Sequence, residues 1–519
     1  MIELDGESLR VDDVNSIARY YDQVSLACRA REAVAQSNKY LQQILSRNKP
    51  VYGINTGFGV FSDQIIPIEQ SSQLSRNLIL SHAVGTGPAL EKDVVRAGIL
   101  IRANTLAKGY SGIKIDVIDT LIALLNRRVY PVIPSQGSLG SSGDLCQLCH
   151  LALVFSKDDQ DRNDESGWAY YNDNLYTGKE CLKIAGIDRI VLGSKEGLAI
   201  SNGASFSAAI AALAVYDSHY LLKIANAALA LSMEALLGCS SAFDPRIQAV
   251  RGHTGQIRVA SNVLQLIQGS DLINSTHRVQ DAYSLRCAPQ VHGAVYDTIA
   301  FCEEIISKEI NAATDNPLIF NHEEVLSGGN FHGEPIGLAM DYLSIAMCEL
   351  AGISERRIFR LIDEKLNGGL PPMLVDHPSK AGLNSGLMMP HYTAASLVLE
   401  NQTLATPDTI RSLPTAGEQE DYNSNSMTAA RHTRMIIDNT YHILAIEIYT
   451  ACRALELRLR DMPHCSPGVV TNKILLEVKK LVSYRPDDGL WGPEIDAVRE
   501  WLKKGELMRL LSNSIDKAI

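Results

Sequence analysis

The chain has 519 residues, of which 46% are hydrophobic and 21% are charged, so it is long enough to bury a large core and is not a disordered protein. Its formal net charge of −11 argues against nucleic acid and anionic membranes as main partners. The first residues show no basic stretch before an apolar core, and no apolar run is long and uncharged enough to predict a membrane span. The ten cysteines are scattered without a disulfide framework, so we expect reduced thiols and a cytoplasmic protein.

Residues 1–205 are predicted to form a mixed N-terminal region, because short helical patterns alternate there with loops rich in glycine and proline. The charged stretch 157–165 predicts a solvated surface loop. The aromatic residues of 168–176 are interrupted by Asn172-Asp173-Asn174, a pattern that predicts a β-hairpin.

Residues 206–519 are predicted to form a helical bundle. The stretch 204–237 is rich in alanine and leucine and hydrophobic nearly all round, which is typical of a helix buried in a bundle or an oligomer. The same theme predicts further long helices at 293–310, 336–360, 385–403 and 428–459. We therefore expect a mainly α protein that forms a homo-oligomer, since such apolar helices favour partner subunits.

A run of small residues, Ser141-Ser142-Gly143, precedes Asp144 and an apparent helix. Because glycine has no Cβ, its nitrogen can reach the carbonyl two residues earlier and close a ring. The serine between them can then lose water and leave an exocyclic alkene. Taken alone, the same residues are also typical of a loop and a helix N-cap, since serine and aspartate are ordinary capping residues.

The residues that follow, Cys146-Gln147-Leu148-Cys149-His150, match the C-x-x-C-H pattern of c-type haem attachment. That chemistry requires export to an oxidising compartment. The apolar residues around the two cysteines have helical spacing, so we predict buried thiols on a helix and expect neither haem nor zinc.

Two polar side chains stand in or near glycine-rich loops of the N-terminal region. Tyr52 begins the loop 52–59, where a phenol with a lowered pKa can act as an acid or a base. A buried tyrosine in a hairpin turn is the structural alternative. His82 lies close to another glycine loop, although a lone histidine is more often a packed residue.

The densest polar cluster contains Gln280, Tyr283 and Arg286, whose spacing of three places them on one side of a helix or tight turn. An arginine there suits a carboxylate by bidentate pairing, and a salt bridge within the bundle is the alternative. The acidic run 418–421 is predicted to begin another helix, where carboxylates complement the helix dipole. The stretch 327–333 has the glycine and asparagine content of a loop.

Together these segments resemble the aromatic amino acid ammonia-lyases, and most closely the histidine ammonia-lyases, over about residues 51–456. The matching motifs follow the family order and are YGINTGFG, NLILSHAVG, GSLGSSGDL, EGLAISNG, QDAYSLRCAPQVHGA, DNPL, SGGNFHGEP, SERRI, GLNSG and LPTAGEQED. The resemblance implies a long-helix bundle of the histidine/phenylalanine ammonia-lyase (fumarase/aspartase-like) type and a homotetramer. It also implies elimination of ammonia from an aromatic amino acid, with L-histidine giving urocanate.

The resemblance further implies the cofactor and its neighbours. The tripeptide 141–143 would cyclise into the electrophile methylidene-imidazolone (MIO), with Ser142 supplying the methylidene carbon that reacts with the substrate. Asn202 would support the oxyanion of the ring, Tyr52 would remove the β-proton, and Tyr283 would assist at the cofactor. No metal is implied.

The substrate-binding residues are also implied by the resemblance. Arg286 would bind the substrate carboxylate, with Asn330 beside it. His82 and Glu420 stand at positions that face the imidazole and the amino group in the histidine-specific branch. These polar groups point away from phenylalanine, whose ring favours an apolar pocket. The pocket would also be lined by Gln280 and Phe331.

The chain departs from the family pattern at three places. Ser141 replaces the usual alanine, but its side chain stays outside the ring, so the ring can still close. Residues 146–150 replace Ala-Pro-Leu-Ala-His. The loop 374–386 is longer than usual and inserts His377 and Lys380, and Pro390-His391 follows it. Lys380 is a candidate ligand for an additional anionic group, with a solvated surface lysine as the alternative.

Four other functions remain open on these residues. An ergothionase resembles the family but expels trimethylamine, a good leaving group, and depends less on an electrophile; His82 and Lys380 would suit its sulfur-bearing imidazole. A tyrosine ammonia-lyase also has histidine at the position of His82, and an aminomutase uses the same groups. A non-enzymatic scaffold is disfavoured because Tyr52, Asn202, Tyr283 and Arg286 are all present.

Overall fold

The computed structural model describes residues 1–47, 49–61, 63–483 and 485–512, which form two compact units. The first unit combines Met1–Tyr216, Cys302–Asp341 and Pro407–His432, and the second combines Asp217–Phe301, Tyr342–Thr406 and the chain from Thr433 onward. The sequence predicted two parts, 1–205 and 206–519, each of which is continuous along the chain. The compact units differ from these parts because packing in three dimensions brings separate stretches of the chain together.

All the strands in the described residues belong to the first unit, and they pair in small sheets of two or three. They are β1 (Ile2–Leu4), β2 (Val24–Leu26), β3 (Thr86–Ala89), β4 (Tyr130–Pro131), β5 (Pro134–Gln136), β6 (Ser156–Lys157), β7 (Trp168–Tyr171), β8 (Asn174–Thr177), β9 (Ile190–Val191), β10 (Leu318–Ile319) and β11 (Val325–Leu326). The pairs β1–β2 and β6–β9 are parallel, whereas β3–β5, β4–β7, β7–β8 and β10–β11 are antiparallel.

The hairpin predicted over 168–176 is confirmed as β7 and β8, with Trp168 opposite Thr177. Its turn residues Asn172 and Asp173 have φ values of 47° and 61°. Two consecutive left-handed residues twist a two-residue turn in the same sense as its strands, and asparagine and aspartate tolerate that conformation.

Helices make up most of the described chain. In chain order they are α1 (Val11–Tyr20), α2 (Cys28–Ser46), α3 (Ser71–His82), α4 (Lys92–Ala107), α5 (Ile115–Asn126), α6 (Leu145–Phe155), α7 (Gly178–Ala185), α8 (Glu196–Ser201), α9 (Ser205–Ala235), α10 (Pro245–Arg251), α11 (Thr254–Leu266), α12 (Tyr283–Arg286), α13 (Ala288–Glu309), α14 (Glu334–Ile362), α15 (Met388–Leu404), α16 (Ser426–Asp461), α17 (Val469–Leu481), α18 (Trp491–Lys503) and α19 (Glu506–Ser512). The predicted mainly α fold is confirmed.

The five long apolar stretches that the sequence predicts as helices correspond to α9, α13, α14, α15 and α16, with ends a few residues from those predicted. The apolar side chains of α9 are buried on every side of the helix. This burial explains why its sequence shows no polar face.

Three helices of the first unit, α3, α6 and α8, pack against one another. His82 is the last residue of α3, the tripeptide 141–143 comes shortly before α6, and Asn202 directly follows α8. The packing of these helices therefore places the ends that bear the candidate functional residues close together.

A fully buried polar network lies in the second unit. Glu447 on α16 accepts hydrogen bonds from Ser232 Oγ at 2.8 Å and Ser354 Oγ at 2.6 Å. It also accepts from Nε and Nη2 of Arg357 at 2.5 and 2.8 Å, and neither side chain of this ion pair is exposed. The two serines and Arg357 belong to α9 and α14, so the carboxylate connects three helices.

The network continues from Arg357 to a buried histidine on α13. Arg357 Nη1 donates to His292 Nε2 at 3.4 Å, so the proton of the neutral imidazole is on Nδ1, which donates to Asn226 Oδ1 at 2.8 Å. Burial and the charge of Arg357 hold the pKa of His292 well below its ordinary value. The imidazole is therefore neutral around pH 7.

One helix has the length and mean hydropathy of a membrane span, although its apolar stretch is not free of charged residues. Among the described residues, only α14 combines at least 18 residues with a sufficiently apolar window, whose mean hydropathy is 1.5. Inside the protein, 61% of that window is buried. Core helices of globular proteins have the same length and composition, and most of this window is used in packing.

Candidate active site

The tripeptide 141–143 lies in a turn that only glycine can complete. Gly143 has a φ of 79° and forms a parallel bridge with Gly203. A Cβ on Gly143 would lie 2.1 Å from the carbonyl carbon of Gly203, which no side chain tolerates. The left-handed backbone and the close approach both require glycine at this position.

The carbonyl oxygen of Ser142 accepts two hydrogen bonds. Asn202 Nδ2 donates at 2.9 Å and the backbone nitrogen of Gly203 donates at 3.1 Å. Asn202 is itself buried. The arrangement is therefore a preorganised pair of donors at one oxygen, the geometry that stabilises negative charge there.

Asp144 fixes the other side of this turn. Its carboxylate accepts from Ser138 Oγ at 2.9 Å, from Ser207 Oγ at 2.8 Å and from the backbone nitrogen of Ser207 at 2.7 Å. Burial raises the pKa of the carboxyl group. Asp144 occupies the N-cap position of α6, but its side chain caps no group of α6 and instead binds the first turn of α9. The alternative interpretation of Asp144 as a capping residue of the helix that follows it is therefore wrong for its side chain.

Both serine hydroxyls of the tripeptide donate to Glu420. Ser141 Oγ lies 2.8 Å from Oε2, and Ser142 Oγ lies 2.8 Å from Oε1. Within the described part of the chain, no cation forms an ion pair with this carboxylate. The prediction that the acidic run 418–421 begins a helix is wrong, because Glu420 pairs with Thr415 across an antiparallel bridge and α16 begins only at Ser426.

Tyr52 and His82 are half-buried at the same cavity. Burial is the largest cause of the raised pKa of Tyr52, a backbone hydrogen bond at Gly59 opposes it, and the charge of Glu420 adds to the rise. Burial lowers the pKa of His82 below 6.5, so its imidazole is neutral at pH 7.

These groups line one cavity of about 1100 Å³ in the first unit. Its polar and apolar lining includes Tyr52, Phe58, Gln64, Leu74, Asn77, Leu78, Ser81, His82, Ser141, Ser142, Leu145, Leu198, Asn202, Phe331, His332, Gln419, Glu420, Asp421 and Tyr422. Seven of the residues predicted from the sequence are thus brought together, namely Tyr52, His82, Ser141, Ser142, Asn202, Phe331 and Glu420. A cavity with an apolar wall and a few convergent polar groups is the usual form of a small-molecule site.

A second cavity, of about 440 Å³, lies in the second unit and contains the predicted cluster of Gln280, Tyr283 and Arg286. The Arg286 guanidinium lies 4.5 Å from the centre of the Tyr283 ring, and its Nε donates to the carbonyl of Asp281 at 2.9 Å. The predicted common side is therefore observed, in a cavity whose lining does not include the tripeptide.

Two predicted binding residues are outside both linings. The exposed Asn330 donates through Nδ2 to the carbonyl of Ala313 at 3.2 Å. Lys380 forms an ion pair with Asp487 at 2.9 Å and donates to the carbonyl of Pro486 at 3.3 Å. The ammonium group of Lys380 thus already has an anionic partner.

The predicted buried thiols are confirmed, since both Cys146 and Cys149 are buried on α6. Burial raises the pKa of both, which keeps them protonated. His150 Nε2 accepts a hydrogen bond from the nitrogen of Gly85 at 3.0 Å. The C-x-x-C-H pattern is thereby accounted for by packing and one loop contact.

The sequence reasoning missed several groups of this site. The backbone nitrogen of Gly203 was not predicted as a donor. The hydrogen bonds between Asp144 and Ser207 of α9 were not predicted either. Asn77, Gln419 and Asp421 also line the cavity. The neighbour of Asn202 is a glycine, which was the one available signal for a close backbone approach.

Comparisons with known proteins agree over the whole chain. The sequence profile of the aromatic amino acid lyases matches residues 9–480. The histidine ammonia-lyase of Caldanaerobacter subterraneus subsp. tengcongensis is 45% identical over 513 residues, 98% of each chain. The crystal structure of histidine ammonia-lyase from Trypanosoma cruzi is similar with a TM-score of 0.89 and 34% identity, covering 99% of this chain and 96% of that one. The ergothionase of Treponema denticola is similar with a TM-score of 0.90 and 27% identity, covering 98% and 99%.

Proposed function

Because the chain belongs to the aromatic amino acid lyase family, we propose that it is an ammonia-lyase that converts L-histidine to urocanate. The relatives at this level of identity are named histidine ammonia-lyases. The family that the sequence motifs predicted is therefore confirmed. That L-histidine is the substrate is what we propose.

The observation that carries the proposal is the geometry of the tripeptide. Ring closure between Gly143 nitrogen and the Ser141 carbonyl leaves the Ser142 carbonyl oxygen on the ring. That oxygen already has two donors, from Asn202 and Gly203. Only glycine fits at position 143. The residues present therefore fit MIO, which supplies an electrophile that turns the substrate's amine into a better leaving group.

Tyr52 is proposed as the base for the β-proton of the substrate. Its phenol faces the cavity that holds the tripeptide, but burial and the charge of Glu420 raise its pKa. The phenolate is thus a minor species at neutral pH, and turnover is expected to increase toward alkaline pH. Because the pKa of the phenol is raised, the phenolate is a stronger base once it has formed and removes the β-proton more readily.

His82 and Glu420 are proposed to recognise the polar ends of histidine. The neutral imidazole of His82 both donates and accepts, which suits the ring of the substrate. Glu420 is proposed to bind the substrate's amino group, because a carboxylate without a bound cation attracts an ammonium group. Both side chains favour a polar substrate over phenylalanine.

Arg286 is proposed to bind the substrate carboxylate. Of the three side-chain nitrogens of Arg286, only Nε has a hydrogen-bond partner among the described residues. The planar guanidinium stacks on Tyr283. Gln280, Tyr283 and Arg286 line a different cavity from the tripeptide, and we propose a homotetramer in which assembly of copies brings the two sets of residues together. Exposed apolar side chains in the second unit, including Tyr342, Ile345, Met389, Tyr392 and Leu399, are expected to be covered in that assembly.

The mass of the peptide that contains residues 141–143, taken from native protein, is the test of the proposal. Loss of two waters together with formation of urocanate from L-histidine is the expected result. L-tyrosine and ergothioneine are assayed in parallel with the same preparation. An unmodified mass combined with release of trimethylamine from ergothioneine would replace the proposal by an ergothionase.

A further inference from the structure

The two hydroxyl groups that hold Glu420 have different fates when the tripeptide cyclises. Ser141 Oγ donates to Oε2 and Ser142 Oγ donates to Oε1, each at 2.8 Å. Before ring closure, the carboxylate is therefore held at both oxygens by neighbouring residues of one turn.

Ring closure releases two waters whose atoms can be assigned. The first water takes the carbonyl oxygen of Ser141 and the amide hydrogens of Ser142 and Gly143, as the Gly143 nitrogen bonds to the Ser141 carbonyl carbon. The second water takes the hydroxyl group and the Cα hydrogen of Ser142. The hydroxyl of Ser141 belongs to neither water and stays in the mature protein.

We infer that Ser141 is a positioning residue, which keeps Glu420 oriented toward the substrate's amino group after Ser142 has lost its hydroxyl. Ser141 is buried and donates to Oε2, Oε1 loses its donor with the hydroxyl of Ser142, and Glu420 lines the cavity. A glutamate side chain has three rotatable bonds, so a fixed donor at one oxygen decides where the other oxygen points. The inference rests on the proposed function, because it assigns the freed oxygen to the amine of the substrate.

The way in which the backbone holds Glu420 supports this need for a fixed donor. Glu420 is held through its backbone, by the bridge with Thr415 at 2.8 and 3.3 Å. The backbone contact fixes the start of the side chain but leaves its carboxylate free to rotate. Among the described residues, only Ser141 and Ser142 donate hydrogen bonds to that carboxylate.

The test uses Ser142→Ala, which cannot form the alkene and therefore holds substrate without turning it over. In this background only Ser141 remains to orient Glu420, as after ring closure. Calorimetry measures the Kd of L-histidine and of imidazolepropionate, which lacks the amino group, for Ser142→Ala alone and with Ser141→Ala or Ser141→Thr added.

The expected result is a discrimination between the two ligands. Ser141→Ala should weaken binding of L-histidine about tenfold, as for the loss of one hydrogen bond to a charged group, and leave imidazolepropionate unchanged. Ser141→Thr, which keeps a hydroxyl, should restore most of the affinity for L-histidine. Equal weakening of both ligands, or no weakening of either, would overturn the inference.

Two further measurements separate this inference from the proposed function. In the otherwise unchanged chain, Ser141→Ala should still show the loss of two waters, because its side chain lies outside the ring. The unchanged chain is assayed with L-histidine first: if it does not form urocanate, the proposed function and the inference fail together. If it does form urocanate and the calorimetry shows no discrimination, only the role of Ser141 is overturned.

Discussion

Two glutamates of this chain each accept hydrogen bonds from a pair of serines, and they differ in what else surrounds them. Glu447 in the second unit also binds Arg357 through two donors and is completely buried. Glu420 in the first unit has no cationic partner among the described residues and faces a large cavity. A glutamate with two serine donors thus occurs once with an arginine partner and fully buried, and once without a cationic partner and at a cavity.

The difference shows how a carboxylate is committed either to the fold or to a ligand. At Glu447 every strong acceptor direction is used and the charge is neutralised, so the group has no remaining capacity to bind a substrate. At Glu420 the two hydroxyls orient the carboxylate without neutralising its charge. A cationic ligand can therefore pair with Glu420, whereas Glu447 is already paired with Arg357.

The largest expected effect is on stability, from Glu447→Gln. Removing the charge leaves Arg357 buried without an anionic partner, which should lower the free energy of unfolding by about 3–5 kcal/mol. Chemical denaturation followed by circular dichroism measures this value. Glu477→Gln is the matched control, because Glu477 forms an exposed ion pair with Lys480 and should change stability little. A small change for Glu447→Gln would show that the saturated network is dispensable.

The next effect is on catalysis, from Tyr52→Phe. Loss of the proposed base should reduce kcat by about 10²–10⁴-fold, while the unfolding transition and the mass of the tripeptide stay unchanged. Tyr176→Phe, at another half-buried tyrosine in the hairpin, should leave kcat as it is. Turnover within a few-fold of normal in Tyr52→Phe would assign the β-proton to another group.

A smaller effect concerns the pH dependence, from Glu420→Gln. Burial raises the pKa of Tyr52 and the negative charge of Glu420 raises it further, and a base acts in its deprotonated form. Removing that charge lowers the pKa of Tyr52, so the alkaline rise of kcat/KM should move to lower pH even though its plateau falls. Asp421→Asn removes a neighbouring charge that is not among the causes of the raised pKa and should leave the rise in place. An unmoved rise in Glu420→Gln would contradict the coupling.

The smallest effect is expected from His82→Gln below pH 6.5. Burial lowers the pKa of His82, so its neutral form persists as the pH falls past the ordinary value and is lost only further down. The ratio of KM between His82→Gln and the unchanged chain should be about 2–10 at neutral pH, the worth of one neutral hydrogen bond. It should stay constant as the pH falls to and past about 6.5, the ordinary value, and fall toward one only further down. A ratio that already falls above this pH would mean that the imidazole is not desolvated.

The sequence predicted those features that depend on residue type at short range. Apolar periodicity located α9 and the other long helices, and motif order indicated Tyr52, Asn202 and the tripeptide as candidate site residues, which the structure places at one cavity. The two-residue strands such as β4 and β6 were not predicted, since two residues cannot display an alternating pattern. Glu420 was assigned to a helix because its acidic neighbours resemble a helix start, and the bridge to Thr415 left no trace in the sequence.

Contacts made by backbone atoms or over long separations were beyond such reasoning. The Gly203 nitrogen donates to Ser142. Backbone N–H groups are alike from one residue to the next, so the sequence does not show which of them donates. Arg357 and Glu447 are 90 residues apart, so no local pattern pairs them. Both belong to helices whose positions were predicted, which shows that the scaffold was easier to infer than the polar groups inside it.

The long separation between the tripeptide and its partners has a consequence for protein synthesis. Glu420 follows Ser142 by 278 residues, which a ribosome adds in roughly a quarter of a minute to one minute at about 5–20 residues per second. During that time the carboxylate that accepts both serine hydroxyls is missing, although Gly203, which packs against Gly143, emerges much earlier. Under the proposed function, the complete surroundings of the tripeptide therefore exist only once most of the chain has been made, which favours formation of the reactive alkene late in synthesis and limits its exposure to the thiols and amines of the cell.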